Sequence, residues 1–93
     1  MFIEDLDDLV SGQPEKMRAA FGIIAPHTAK LGGLDARTRR DFRDLGRHLG
    51  EFEEWPDSEQ RRFCRLAIGI RTSFMKHSVF DKNGNIIWPD DRR

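Results

Sequence analysis

Residues 34–52 read LDARTRRDFRDLGRHLGEF, and the fold is decided there. Phe42, Leu45, Leu49 and Phe52 recur three and four apart, the spacing that stacks side chains along one edge of an α-helix. Leu34 is in phase with them, and Asp35 is placed to cap the helix by accepting from a first-turn N–H. Arg40, Arg43 and Arg47 fall on the opposite side, so the segment has a greasy edge and a basic one. Gly46 and Gly50 flank the greasy edge. Each costs about 1 kcal/mol against Ala inside a helix, and the compensation expected is close approach of another backbone.

Working outward, the flanking segments carry the same helical period. Phe2, Ile3, Leu6, Leu9 and Val10 predict a short first helix over 2–10, ended by Ser11-Gly12. Pro14 suits the first turn of a second helix, where its missing N–H is not needed, and Met17, Ala20, Phe21 and Ile24 form its apolar stripe, with Leu31 in phase. Pro26 interrupts it, because its ring collides with the Gly22 carbonyl in a regular helix; a restart is expected there rather than a kink. Gly32-Gly33 closes the segment. After the turn Trp55-Pro56-Asp57, Asp57 and Gln60 have capping-box spacing. A fourth helix then runs to about Met75, with Phe63, Leu66, Ala67, Ile70 and Phe74 facing the core and Arg61, Arg65, Thr72 and Lys76 facing away. Cys64, Ile68 and Met75 make a further apolar line between those faces. That arc is wider than one neighbouring helix requires.

Residues 79–88 read VFDKNGNIIW. Asn83-Gly84 between apolar flanks predicts a hairpin with a two-residue type I′ turn, which needs positive φ at both central residues. In that register Phe80 opposes Ile87, Val79 opposes Trp88 and Asp81 opposes Ile86, so both hairpin faces are apolar. The predicted fold is mainly α: one domain over 1–93, a compact bundle of about four helices closed by a two-stranded hairpin.

Formal net charge is zero, but the charges are sorted. Residues 1–15 hold five acids and no base, 37–47 hold five Arg against two Asp, 48–60 hold five acids and no Lys or Arg, and 61–76 hold five bases and no acid. The favoured expectation is that neighbouring helices neutralise one another; the rival reading is that one block is a docking face. The single cysteine, Cys64, allows no intrachain disulfide, and the acidic start and short apolar runs fit neither a secretion signal nor a membrane span. The expected setting is the cytoplasm.

Chemical motifs fail on spacing. Trp-Pro-Asp occurs at 55–57 and 88–90, but Cys64 and Arg71 are separated by six residues, not the five of a phosphate-cradling Cys-x5-Arg loop, and lie in a helical pattern. Asp81-Lys82-Asn83-Gly84-Asn85 resembles the start of a calcium loop, yet Ile86 falls where Gly is needed and Arg92 where a bidentate Glu belongs. His27, His48 and His77 are scattered without zinc spacing, and the pair His48 and Glu51 is too few ligands for a site. Cys64 lies near Arg62 and Arg65 but has no base at a readable spacing. No catalytic residue, metal or cofactor is therefore assigned.

Surfaces are left to carry the function. Ile68, Met75, Phe80, Ile86, Ile87 and Trp88 are the expected partner-binding residues, with Arg40, Arg43 and Arg47 as a charged complement. The reading is a small non-enzymatic inhibitor, anti-activator or adaptor of a larger protein assembly, or a homodimer subunit, with the hairpin edge able to pair with a partner strand. The alternative is a nucleic-acid-binding regulator using Arg stripes on the third and fourth helices. Zero net charge and interleaved Asp41 and Asp44 weigh against it.

Overall fold

A computed structural model of the chain describes residues 1–31 and 33–87. Helices α1 (Ile3–Leu9) and α2 (Pro14–Ile24) lead into a first 3-10 helix (Ala25–Lys30). Helix α3 (Ala36–Gly46) is followed by a second 3-10 helix (Leu49–Glu54) and the long α4 (Asp57–His77). Strands β1 (Val79–Phe80) and β2 (Ile86–Ile87) close the chain as an antiparallel pair. The mainly helical fold with a C-terminal hairpin is as the periodicity predicts.

A row of aromatic rings ties the helices together. Phe21 on α2 tilts against Phe42 on α3 at 5.1 Å, and Phe42 stacks on Phe63 of α4 at 5.6 Å. Phe63 then meets Trp55 and Phe52 edge-on at 6.1 and 6.5 Å. Leu6, Leu9, Met17, Ile24, Ile70 and Phe74 fill the rest of the interior. Each buried ring or large aliphatic chain contributes roughly 1.5–3 kcal/mol by leaving water. Leu45 and Leu66, expected in the core, are only half-buried.

Two predicted helices are divided. The restart expected at Pro26 takes the form of a change of helix type: α2 ends at Ile24, Ala25 keeps right-handed helical angles, and the hydrogen bonding becomes 3-10. Pro26 has no N–H to offer the Gly22 carbonyl, so the wider ladder cannot continue. The expected single helix over 34–52 ends at Gly46 and resumes after His48 as the second 3-10 helix. A Cβ at Gly46 would fall inside the Phe21 ring, so the close approach expected at this glycine is made by a side chain, while Gly50 faces open space. Carbonyls freed by the break find donors. Arg18 Nη1 reaches the Leu49 carbonyl and Glu53 Oε1, both at 3.0 Å, and Gln60 Nε2 donates to the Phe52 carbonyl at 2.8 Å. Gln60 is thereby spent on the preceding segment rather than on a capping box, and Pro56, not Asp57, is the cap residue of α4. Asp35 caps α3 as expected, accepting from the Thr38 N–H at 2.7 Å.

The hairpin turn differs from its prediction. Gly84 has φ +81° but Asn83 does not have a positive φ, so the turn is not type I′. Asp81 Oδ1 accepts from the N–H groups of Asn83 and Asn85 at 2.8 and 3.0 Å, while the Asp81 N–H donates to the Asn85 carbonyl at 2.9 Å. These bonds favour a three-residue loop with glycine in the left-handed position. The register therefore slips by one: Val79 faces Ile87 and Phe80 faces Ile86. A one-residue slip exchanges the faces of a strand, and it carries Ile86 to the Phe80 side, where it is 6 % exposed.

Phe2, expected in the first helix, is extended instead and lies with Met1 alongside the hairpin, while α1 begins at Ile3. Phe2 bridges Asn85, the Ile3 N–H donates to the Gly84 carbonyl at 2.7 Å, and the Ile86 N–H donates to the Met1 carbonyl at 2.8 Å. Phe2 is consequently 47 % exposed rather than in the helical stripe, and its N–H is held by Asp5 Oδ2 at 2.8 Å, which starts α1.

Candidate binding surfaces

The structure separates the expected contact residues into distinct places. On α4, Arg61, Arg65, Ile68, Thr72 and Met75 are all exposed. Their alternating four- and three-residue steps put them in one row spanning about 21 Å. Ile68 is 55 % and Met75 42 % exposed. The row is basic in its first half and apolar in its second. Val79 continues the apolar exposure beyond the helix at 46 %. It was overlooked because the predicted register paired it with Trp88.

The hairpin contributes less than expected. Ile86 lies in the core and leaves the set of exposed contacts, because the observed register turns it inward. Phe80 and Ile87 are half-buried, and Trp88 lies outside the described residues. The outer side of β2, where strand pairing with a partner was envisaged, is taken by residues 1–3 of the same chain.

Arg40, Arg43 and Arg47 do not adjoin the α4 row. Together with Arg39 they line an open cleft of about 530 Å³ between α3 and the first 3-10 helix. No residue of α4 lines it. The opposite wall is small, Thr28 and Ala29 from the 3-10 helix, and Ala36 in the first turn of α3 lines the arginine side. Thr28 is buried and its hydroxyl donates to the Ala25 carbonyl at 2.8 Å, which holds that wall in place. Arg39 is half-buried and the other three arginines are exposed. Arg39 was passed over because it does not share the side of Arg40 and Arg47, but its i,i+4 relation to Arg43 signals membership of the same patch.

Charge pairing elsewhere follows the sorted blocks only in part: Arg71–Asp7 joins a basic block to an acidic one, whereas Asp41 is a minority acid of the basic block 37–47 and Arg18 lies outside the blocks. Arg71 on α4 holds Asp7 on α1 at 3.1 Å, Arg62 on α4 holds Asp41 on α3 at 3.3 Å, and Arg18 on α2 holds Glu53 at 3.0 Å. The hydrogen bond from Arg18 lowers the Glu53 pKa below its ordinary value. Among the described residues the side chains of Arg39, Arg40 and Arg43 form no ion pair or hydrogen bond, although the charge of Arg39 acts on the Asp35 carboxylate one turn earlier. Arg47 reaches only Asp44, at 3.7 Å with both side chains largely in water.

The remaining chemistry is sparse. His48, Glu51 and Glu59 border a shallow hollow of about 190 Å³ beside Leu45, Trp55 and Pro56. Among the described residues no group of three His, Cys, Asp or Glu side chains could hold a metal ion, and no helix is long and apolar enough to cross a membrane. His27 has its pKa lowered by partial burial, then by the charge of the chain's amino terminus and of Lys30. Cys64 is half-buried. No protein-family model, curated protein or solved structure matches the chain.

Proposed function

We propose that the chain is a non-enzymatic protein-interaction module, a small inhibitor, anti-activator or adaptor that docks through the outer row of α4. The observation that carries this reading is the exposure of Ile68 and Met75, two turns apart on the same side of the longest helix. Large apolar side chains aligned outward along a helix fit the seam that a partner helix covers. Arg61 and Arg65, in line with them, set the orientation of a partner with an acidic flank, since charges at the rim govern approach and register more than affinity. The partner is a second copy of this chain or a larger assembly presenting an amphipathic helix.

The test is a double variant, Ile68→Glu with Met75→Glu. Both positions are exposed, so circular dichroism and thermal stability should stay close to those of the parent chain. Association, measured by light scattering for self-assembly and by capture of a defined partner for hetero-assembly, should fall at least about tenfold. Unchanged association by the variant would overturn the reading. So would a chain that stays monomeric and partnerless yet binds mixed nucleic acid with a steep salt dependence, the signature of counterion release.

A further inference from the structure

We propose that the cleft between α3 and the first 3-10 helix is a binding site for a small polyphosphate anion, such as a nucleoside diphosphate or triphosphate. The inference uses a different surface from the docking row of α4 and stands or falls separately. It starts from a contrast in how this chain treats its arginines. Arg18, Arg62 and Arg71 each end on a carboxylate of another element. Among the described residues the side chains of Arg39, Arg40 and Arg43 reach no carboxylate at ion-pair distance, though they lie side by side on one helix and Asp35 feels the charge of Arg39.

That arrangement sets like charges close to one another. Arg39 and Arg43, Arg40 and Arg43, and Arg43 and Arg47 are neighbours at i,i+3 or i,i+4 on α3, and like charges so spaced repel. The helix dipole favours Arg43 and Arg47 near the C-terminal end, but it does not account for Arg39 and Arg40 in the middle. An anion bound between them would turn the repulsion into shared attraction.

The shape of the cleft selects the class of anion. Four guanidinium groups face a single carboxylate, Asp44, leaving a lining of net charge +3. One carboxylate ligand would neutralise a third of that, whereas a di- or triphosphate carries matching charge. Guanidinium forks bind phosphate oxygens two at a time, and each such bond is charge-assisted. From Arg40 to Arg47 the helix rises about 10.5 Å, room for two or three linked phosphoryl groups. Thr28 and Ala29 keep the facing wall low, and Ala36 adds no bulk on the α3 side, so the volume of about 530 Å³ is left to the ligand; ligand sites commonly run about 300–1,000 Å³. A nucleic-acid backbone fits less well. The free bases Arg61, Arg65 and Lys76 of α4 do not line the cleft, so the positive charge forms a pocket rather than a track.

The experiment is calorimetric titration of the full chain with inorganic triphosphate, orthophosphate, ADP and a mixed-sequence oligonucleotide, at fixed ionic strength. Triphosphate and ADP should bind at a single site, with triphosphate at least about tenfold tighter than orthophosphate, and should raise the melting temperature. Arg40→Gln with Arg43→Gln should remain folded by circular dichroism and lose at least about tenfold in triphosphate affinity. Arg61→Gln with Arg65→Gln should bind as the parent does. No discrimination between triphosphate and orthophosphate, or retained affinity in the Arg40/Arg43 variant, overturns the proposal. An oligonucleotide that binds more tightly than triphosphate overturns it too, because the site is then a strand contact.

Discussion

The two sides of α3, its C-terminal cap residue Arg47 included, are treated in opposite ways. On one side Phe42 lies between Phe21 and Phe63, Gly46 receives the Phe21 ring, and Asp41 takes an ion pair from Arg62 of α4. On the other, Arg39, Arg40, Arg43 and Arg47 face an open cleft with little to neutralise them. One side is packed and paired, whereas the other presents like charges close together in water. A single helix thus separates what stabilises the fold from what is left for a ligand.

The largest expected effect is on the packed side. Phe42→Ala should lower unfolding stability by about 3–5 kcal/mol, because it removes the middle ring of the aromatic row and leaves a cavity. Urea denaturation reads this directly, and a loss below about 1 kcal/mol would mean that Phe42 is not the centre of the core.

Next comes Gly46→Val, expected to cost about 1–3 kcal/mol by overpacking against Phe21. Combining it with Phe21→Ala should cost less than the two separate losses added together, because the ring that clashes is gone. Strict additivity in that double-mutant cycle would break the assignment of Gly46 to close packing.

The cap of α3 gives a pH-dependent test. The Thr38 N–H bonded to the Asp35 carboxylate lowers its pKa, so the charged form is favoured by folding. Its contribution is fully present above the ordinary carboxylate range and is lost as pH falls through the lowered folded value. Asp35→Ala should therefore lower the melting temperature at neutral pH, and the gap to the parent chain should close in acid. A gap independent of pH would show that the charge plays no part in the cap.

The smallest effects compare the two sides of the helix by sign. Arg62→Gln, which breaks the pair with Asp41, should destabilise by about 0.2–1 kcal/mol, and less at high salt. Arg43→Gln should instead stabilise the unliganded chain by a few tenths of a kcal/mol, since it removes like-charge neighbours. Thermal melts at low and high salt check both. Destabilisation by Arg43→Gln would place that arginine with the structural group.

Much of this architecture was legible along the chain. The three-four spacing of Met17, Ala20 and Ile24, and of Phe63, Ala67, Ile70 and Phe74, marks faces that are in fact buried. Asp35 was readable as a cap because its acceptor serves an N–H only three residues away. The charge blocks also foretold cross-helix neutralisation, met by Arg71 with Asp7, whereas Arg62 pairs with Asp41 from within a mainly basic block. The candidate surfaces were legible only in part. Ile68 and Met75 on α4, and Arg40, Arg43 and Arg47 on α3, were singled out from spacing alone. Their division between two separate surfaces was not, because it depends on which element packs beside each helix.

Periodicity over a few residues is enough to call a helix, a cap or an apolar face, since those are set by contacts within one or two turns. It could not set the hairpin register, because Asp81 captures two backbone N–H groups and residues 1–3 pair along the far side of β2. Nor could it foresee the end of α3 at Gly46, where a ring from α2 seats itself on the glycine. The cleft likewise exists only once the first 3-10 helix stands opposite α3. Each of these outcomes is a choice between local arrangements of similar energy, and contacts between residues far apart in the chain tip the balance.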